Sequence, residues 1–89
     1  MIKKKVKIIN KLGLHARASS KLTQLASQFN SEIFLIKNSK KVSANNIMDI
    51  LMLAASVGSE VELEVNGPDE KEAINKIEKL FKNYFDEGE

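Results

Sequence analysis

The stretch Glu32-Ile33-Phe34-Leu35-Ile36-Lys37-Asn38-Ser39-Lys40-Lys41-Val42-Ser43 decides the architecture. Glu32 to Lys37 is an apolar run of strand length, Asn38-Ser39 is a turn signal, and a second short strand follows around Lys40 to Ser43. Two strands joined by so short a connection make an antiparallel hairpin, although no glycine fixes the turn type. On the N-terminal side, Asn30-Ser31 is a turn. Before it, Ala18, Leu22, Leu25, Ala26 and Phe29 recur at helical spacing with Ser19, Lys21, Thr23, Gln24 and Gln28 between them, which predicts an amphipathic helix from Ala16 to Phe29. Asn10-Lys11-Leu12-Gly13 reads as a loop, and ahead of it Ile2, Val6 and Ile8 alternate with lysines as in a half-buried strand.

On the C-terminal side, Ile47 to Ala55 is rich in Met, Leu and Ala, which favours a short helix, with Asn45 or Asn46 as its N-cap. Ile50, Leu53 and Ala54 are expected in the core. Glu60-Val61-Glu62-Leu63-Glu64-Val65 alternates strictly and predicts a strand with one wet acidic face. After the Asn66-Gly67-Pro68 break, Asp69 and Glu72 have the spacing of a capping box. Ala73, Ile74, Ile77, Leu80, Phe81 and Tyr84 then mark a second long helix, and the tail Asp86-Glu87-Gly88-Glu89 is expected to fray. The order is β-α-β-β-α-β-α. With a hairpin in its middle, it predicts an α+β fold: an antiparallel sheet with helices on one face.

At 89 residues the chain has room for one domain, spanning 1–89. Fourteen basic and 12 acidic residues leave a net charge of +2, too slight for a dedicated nucleic-acid binder. The Lys3–Lys7 cluster has no interleaved aromatic residue on which a base could stack. Cysteine is absent, which excludes disulfides, thiolate nucleophiles and cysteine metal sites. The longest apolar stretch, Ile47 to Ala55, is broken by Asp49 and far too short to span a bilayer. No signal-peptide core is present, so a cytoplasmic protein is expected, without nucleic acid, membrane insertion or cofactor, acting as a monomer.

One constellation carries chemistry: Gly13-Leu14-His15-Ala16-Arg17, with the sole histidine. A lone histidine is usually an unremarkable surface or core residue, but three neighbouring features raise its standing. It lies at a predicted helix start, where unpaired N–H groups and the positive end of the helix dipole make an anion site, so the amides of Ala16, Arg17 and Ala18 are placed to receive a phosphoryl group carried on His15. The guanidinium fork of Arg17 fits phosphate oxygens. Gly13 permits an unusual turn just before. A helix start also disfavours imidazolium, and a phosphoryl acceptor needs a nitrogen with a free lone pair; which nitrogen reacts stays open at this level. A single histidine makes a metal set improbable. Gly-rich nucleotide loops are absent, so the phosphoryl donor is expected to be another protein or a small phosphorylated metabolite.

The run Asn10-Lys11-Leu12-Gly13-Leu14-His15-Ala16-Arg17-Ala18-Ser19 closely resembles the active-site stretch of the HPr family, the histidine-containing phosphocarriers of phosphoenolpyruvate-dependent phosphotransferase systems. The likeness continues through Asn46-Ile47-Met48, Gly58-Ser59-Glu60-Val61 and Gly67-Pro68-Asp69-Glu70. The resemblance implies an open-faced sandwich, a four-stranded antiparallel sheet with three helices on one side. It implies phosphorylation of His15 at Nδ1 by enzyme I, transfer to an enzyme IIA-type domain, and a phosphate-steadying role for Arg17. It describes a phosphoryl carrier, not a turnover catalyst. Two departures stand out: Ala18 replaces the family's usual proline, and Asn46 replaces the serine that a dedicated kinase phosphorylates in many members, with Ser43 nearby. The Asn-Lys-Leu-Gly and Met-Leu-Ala-Ala runs resemble the nitrogen-related branch (NPr) as much as the sugar branch.

Ile47, Met48, Leu51 and Met52 read first as core, but a short helix on a one-sided sandwich cannot bury its whole circumference. The resemblance points to Ile47, Met48 and Leu51 as a partner-docking face, and Ser20 and Gln24 on the polar side of the first helix are its expected rim. The alternative function is a regulatory binding module whose target affinity is switched by phosphorylation of His15; onward transfer to an acceptor separates the two.

Overall fold

The computed structural model describes residues 1–86. The elements follow in the order β1 (Ile2–Lys7), α1 (Ala16–Ala26), β2 (Glu32–Lys37), β3 (Lys40–Ser43), α2 (Ile47–Met52), β4 (Glu60–Asn66), α3 (Glu70–Lys82) and a closing 3₁₀ turn (Tyr84–Asp86). The strands form one sheet in the order β1-β4-β2-β3. Every neighbouring pair is antiparallel. This is the α+β architecture that the element order predicts, and the hairpin is its anchor. Lys37 pairs with Lys40, leaving a two-residue connection. Asn38 and Ser39 both take positive φ, 51° and 68°, as a type I′ turn requires.

Strand alternation places the core on one face. Val6, Ile33, Leu35, Val42, Val61, Leu63 and Val65 are buried there, against Ala18, Leu22 and Ala26 of α1, Ile50 of α2, and Ala73, Ile74, Ile77 and Phe81 of α3. Burying each large aliphatic or aromatic side chain contributes about 1.5–3 kcal/mol. Lys4 falls in the inward register of β1 and reaches Glu78 of α3 at 2.9 Å, so it clamps the sheet edge to the helix.

The helices are shorter than their apolar periodicity predicts. α1 stops at Ala26, and Phe29 lies beyond it, half-buried. α2, capped by Asn46 Oδ1 accepting from the Asp49 N–H at 3.2 Å, ends at Met52. Ala54 takes φ 52° and is exposed, contrary to its expected core role; the turn carries Ala55 inward instead. Tyr84 does not continue α3. The backbone turns left-handed at Tyr84 and Phe85 (φ 54° and 53°), which leaves Tyr84 exposed and drives Phe85 fully into the core against Phe81, ring centroids 4.8 Å apart. The tail predicted to fray lies, from residue 87, outside the described residues.

The expected capping box is absent. Asp69 occupies the N-cap position of α3 but makes no side-chain bond to its own helix. Its carboxylate instead accepts from the Asn30 N–H at 2.8 Å and from the Ser31 hydroxyl, tying α3 to the turn before β2. Glu72 pairs with Lys76 at 3.6 Å. The acidic face of β4 is not uniformly wet either. Glu64 is buried, with Lys41 at 2.7 Å and Lys3 at 3.7 Å: Lys3 lies opposite it on β1, and Lys41 reaches from β3 across the Phe34 ring of β2.

Among the described residues, four carboxyls are held below their ordinary range: Glu64 by its hydrogen bond from Lys41, Asp69 by that from Ser31, Glu70 by the Gly67 N–H, and Glu78 by Lys4. A carboxyl lowered on folding stabilises the fold above its unfolded pKa and loses that contribution as pH falls through the folded value. The urea midpoint should therefore be level near neutrality and fall as pH drops below about 4.5. Glu64→Gln should make that fall shallower; a midpoint independent of pH between about 6 and 3 would contradict this.

Candidate functional site

The loop after β1 is built by backbone and amide hydrogen bonds. Ile8 continues the strand, exchanging bonds with Ser59 O and the Gly58 N–H, both at 2.8 Å. Asn10 is then buried. Its Nδ2 donates to Gly13 O at 2.7 Å, while its own carbonyl accepts the Gly13 N–H at 3.1 Å. Gly13 has φ +68°, and a Cβ on it would lie 2.5 Å from Ala55 O and 2.9 Å from Ser56 Cα. Only glycine lets the loop lie so close to the segment after α2. Leu14, buried, donates its N–H to Ala55 O at 2.9 Å, and the buried Ser19 hydroxyl donates back to Leu14 O at 3.3 Å.

His15 comes next, and it is the N-cap of α1. Its backbone is extended (φ −80°, ψ −178°), its carbonyl accepts the Ser19 N–H at 2.9 Å, and its N–H donates to Gly13 O at 2.9 Å. Its Nδ1 accepts the Arg17 N–H at 3.3 Å. The imidazole thus takes the place a Ser or Asp oxygen usually holds at a helix start. The contact turns the Nδ1 edge of the ring toward the first helical amides. The first-turn amides of Ala16, Arg17 and Ala18 have no helical carbonyl to bond. No acidic residue occupies that first turn of the helix. Arg17 is exposed beside it, while Ala18 is fully buried and seats the helix on the core.

Beside this helix start lies an apolar surface. Met48 and Met52 of α2 are 67% and 64% exposed, and Ile47 is exposed too, while Leu51 is half-buried. α2 packs along α1, and Leu14–Ala55 joins the two ends. Ser20 and Gln24 share a bond of 3.3 Å on the accessible side of α1. The structure therefore sets the helix that carries Ile47, Met48 and Leu51 against α1, with the segment after it at the loop before His15. It adds Leu12 and Val57, both exposed on the two loops that Gly13 holds together. Their signal in the sequence was only an apolar residue in a polar loop. Asn10 was read as part of a loop, and its clamp on Gly13 depends on burial that no local pattern reveals.

Among the described residues, no group of three His, Cys, Asp or Glu could hold a metal ion, and no helix is long and apolar enough to cross a membrane. The family profile described as "PTS HPr component phosphorylation site" matches residues 2–83. The phosphocarrier protein HPr of Neisseria meningitidis serogroup B is 53% identical over 89 residues, covering all of both chains. The crystal structure of HPr-C-His from Thermoanaerobacter tengcongensis superimposes with a TM-score of 0.94 at 42% identity, covering 98% of each chain. A crystal structure of an HPr dimer from that organism aligns with a TM-score of 0.77 at 42% identity, covering 96% of this chain and 98% of the other. These matches give no specific support to the nitrogen-related branch.

Proposed function

The chain belongs to the HPr family, histidine phosphocarriers that shuttle a phosphoryl group between enzyme I and enzyme IIA-type acceptors, and on that premise we propose that His15 is the residue that carries it. The observation that supports this reading is the contact between Nδ1 and the Arg17 amide at the start of α1. The lone pair of Nδ1 attacks phosphorus, the bond from phosphorus to the donor breaks, and the donor atom keeps the electron pair. Nδ1 must release the Arg17 N–H as it bonds to phosphorus. At 3.3 Å that contact is long and cheap to give up, and the freed amide then faces the phosphoryl oxygens with those of Ala16 and Ala18. Ala18 contributes a donor that the family's usual proline would lack. Transfer to the acceptor reverses these steps, so the protein ends unchanged as a carrier.

The direct test is incubation with enzyme I and phosphoenolpyruvate. A base-stable, acid-labile phosphate should appear on the protein and pass to an enzyme IIA-type acceptor; a label that never moves on would favour a regulatory module. Arg17→Ala should slow uptake about 10- to 100-fold, the worth of one charge-assisted hydrogen bond to a phosphoryl oxygen. Unchanged single-turnover rates would remove Arg17 from the site.

Ile47, Met48 and Leu51, rimmed by Ser20 and Gln24, form the proposed docking face. Met48→Glu puts a charge at its most exposed point without touching the core. It should raise KM for both partners about tenfold, a loss of ~1.4 kcal/mol, with the urea midpoint unchanged. We take the whole chain as one carrier domain acting as a monomer, which sedimentation at working concentration checks.

A further inference from the structure

A groove of about 850 Å³ runs between the C-terminal halves of α1 and α3. Leu25 and Leu80 floor it, both only partly buried, and Lys21, Lys76, Lys79 and Lys82 stand along it. The remaining polar lining groups are neutral amides, so among the described residues no carboxylate lines the groove. That is a local concentration of positive charge on a chain whose net charge is only +2.

Among the described residues that charge is poorly answered. Lys82 shares Glu78 with Lys4, and Lys4 is the nearer, 2.9 Å against 3.5 Å. Lys76 holds Glu72 at 3.6 Å in an exposed i,i+4 pair, an arrangement of little energy that a partner's carboxylate can replace. Lys79 has no ion-pair partner among the described residues. The Lys21 ammonium is fixed at one end by donating to Phe85 O at 2.8 Å, with two N–H donors remaining. Lysine stems extend an apolar floor while their heads stay at the rim.

We propose that this groove docks an acidic amphipathic segment of a protein partner, its apolar side chains over Leu25 and Leu80 and its carboxylates on the four lysines. Charge complementarity selects the occupant. The groove's open form between two helices suits a helix laid along it better than an enclosed small molecule. Gln24 lines the groove and also rims the proposed docking face, so the two surfaces adjoin across α1. A partner engaged at His15 can therefore reach the groove, yet the groove's own binding does not need His15.

The test is titration of the ¹⁵N-labelled full chain with a helical peptide of roughly four turns, leucine on one face and glutamate on the other. Saturable shifts should centre on Lys21, Gln24, Leu25, Lys76, Lys79 and Leu80. Binding should weaken about tenfold in Lys76→Glu/Lys79→Glu, less in Lys76→Gln/Lys79→Gln, and several-fold between about 50 and 300 mM salt. His15→Ala should leave it unchanged. A peptide with serine for leucine should fail to bind. Shifts spread over Lys3, Lys5 and Lys7, or indifference to the lysine substitutions, would overturn the proposal. Shifts of the same residues on raising the protein concentration without peptide would assign the groove to a second copy and overturn it equally.

Discussion

His15→Ala, incubated with enzyme I and phosphoenolpyruvate, should take up no phosphate, while its fold survives. The loss is total because the chain offers no substitute: His15 is the only histidine and there is no cysteine. The structural cost of losing the cap is about 1 kcal/mol, because the side chain accepts the Arg17 N–H at the start of α1. His15→Asn is the sharper control, since asparagine is a preferred N-cap and should restore that stability without restoring uptake. Circular dichroism and urea unfolding follow the fold, and intact mass at alkaline pH follows the phosphate. A phosphorylated His15→Ala protein would end the assignment.

The second large effect is expected at Gly13. Gly13→Ala should cost about 2–4 kcal/mol, made of roughly 1 kcal/mol for a side chain in left-handed backbone and 1–3 kcal/mol for forced displacement. The displacement is unavoidable because the new Cβ meets the Ala55 carbonyl oxygen at 2.5 Å and the Ser56 Cα at 2.9 Å, both backbone atoms that cannot rotate away. Gly58→Ala separates the two causes. Gly58 also has positive φ, +89°, but a Cβ there meets nothing within 4 Å, so only the conformational cost should appear. In a domain of this size the difference is a further loss of about 5–20 °C in Tm for Gly13→Ala. Phosphoryl uptake should fall even where Gly13→Ala is fully folded, because the Leu14–Ala55 bond and the Asn10 clamp both act through this loop. Equal melting temperatures for the two variants would show that the close approach is not rigid.

The glycine also explains what local pattern could reach. Its neighbourhood to His15 was readable, and so was the start of α1, because capping and periodicity act within a few residues. The ends of the helices were not. α2 and α3 stop where the chain turns left-handed at Ala54 and at Tyr84–Phe85, residues that carry no glycine signal. At the second turn the gain is the burial of Phe85 on Phe81, a contact that periodicity assigned to Tyr84. Asp69 likewise had the right spacing for its own helix, yet its carboxylate bonds Asn30 and Ser31, 39 and 38 residues away.

By itself, then, the sequence determined the hairpin, the β-α-β-β-α-β-α order, the buried strand face and the pairing of a solitary histidine with a helix start and an arginine. Each of these rests on interactions between near neighbours or on a period that the chain repeats. Tertiary structure decided the rest. It placed Glu64 between two lysines from other strands, seated Gly13 against Ala55, left Leu12 and Val57 exposed on the two loops that meet there, and gathered four lysines along the α1–α3 groove. Those juxtapositions arise from sheet register and from how helices pack on it, and neither is written in the spacing of residues along a single segment.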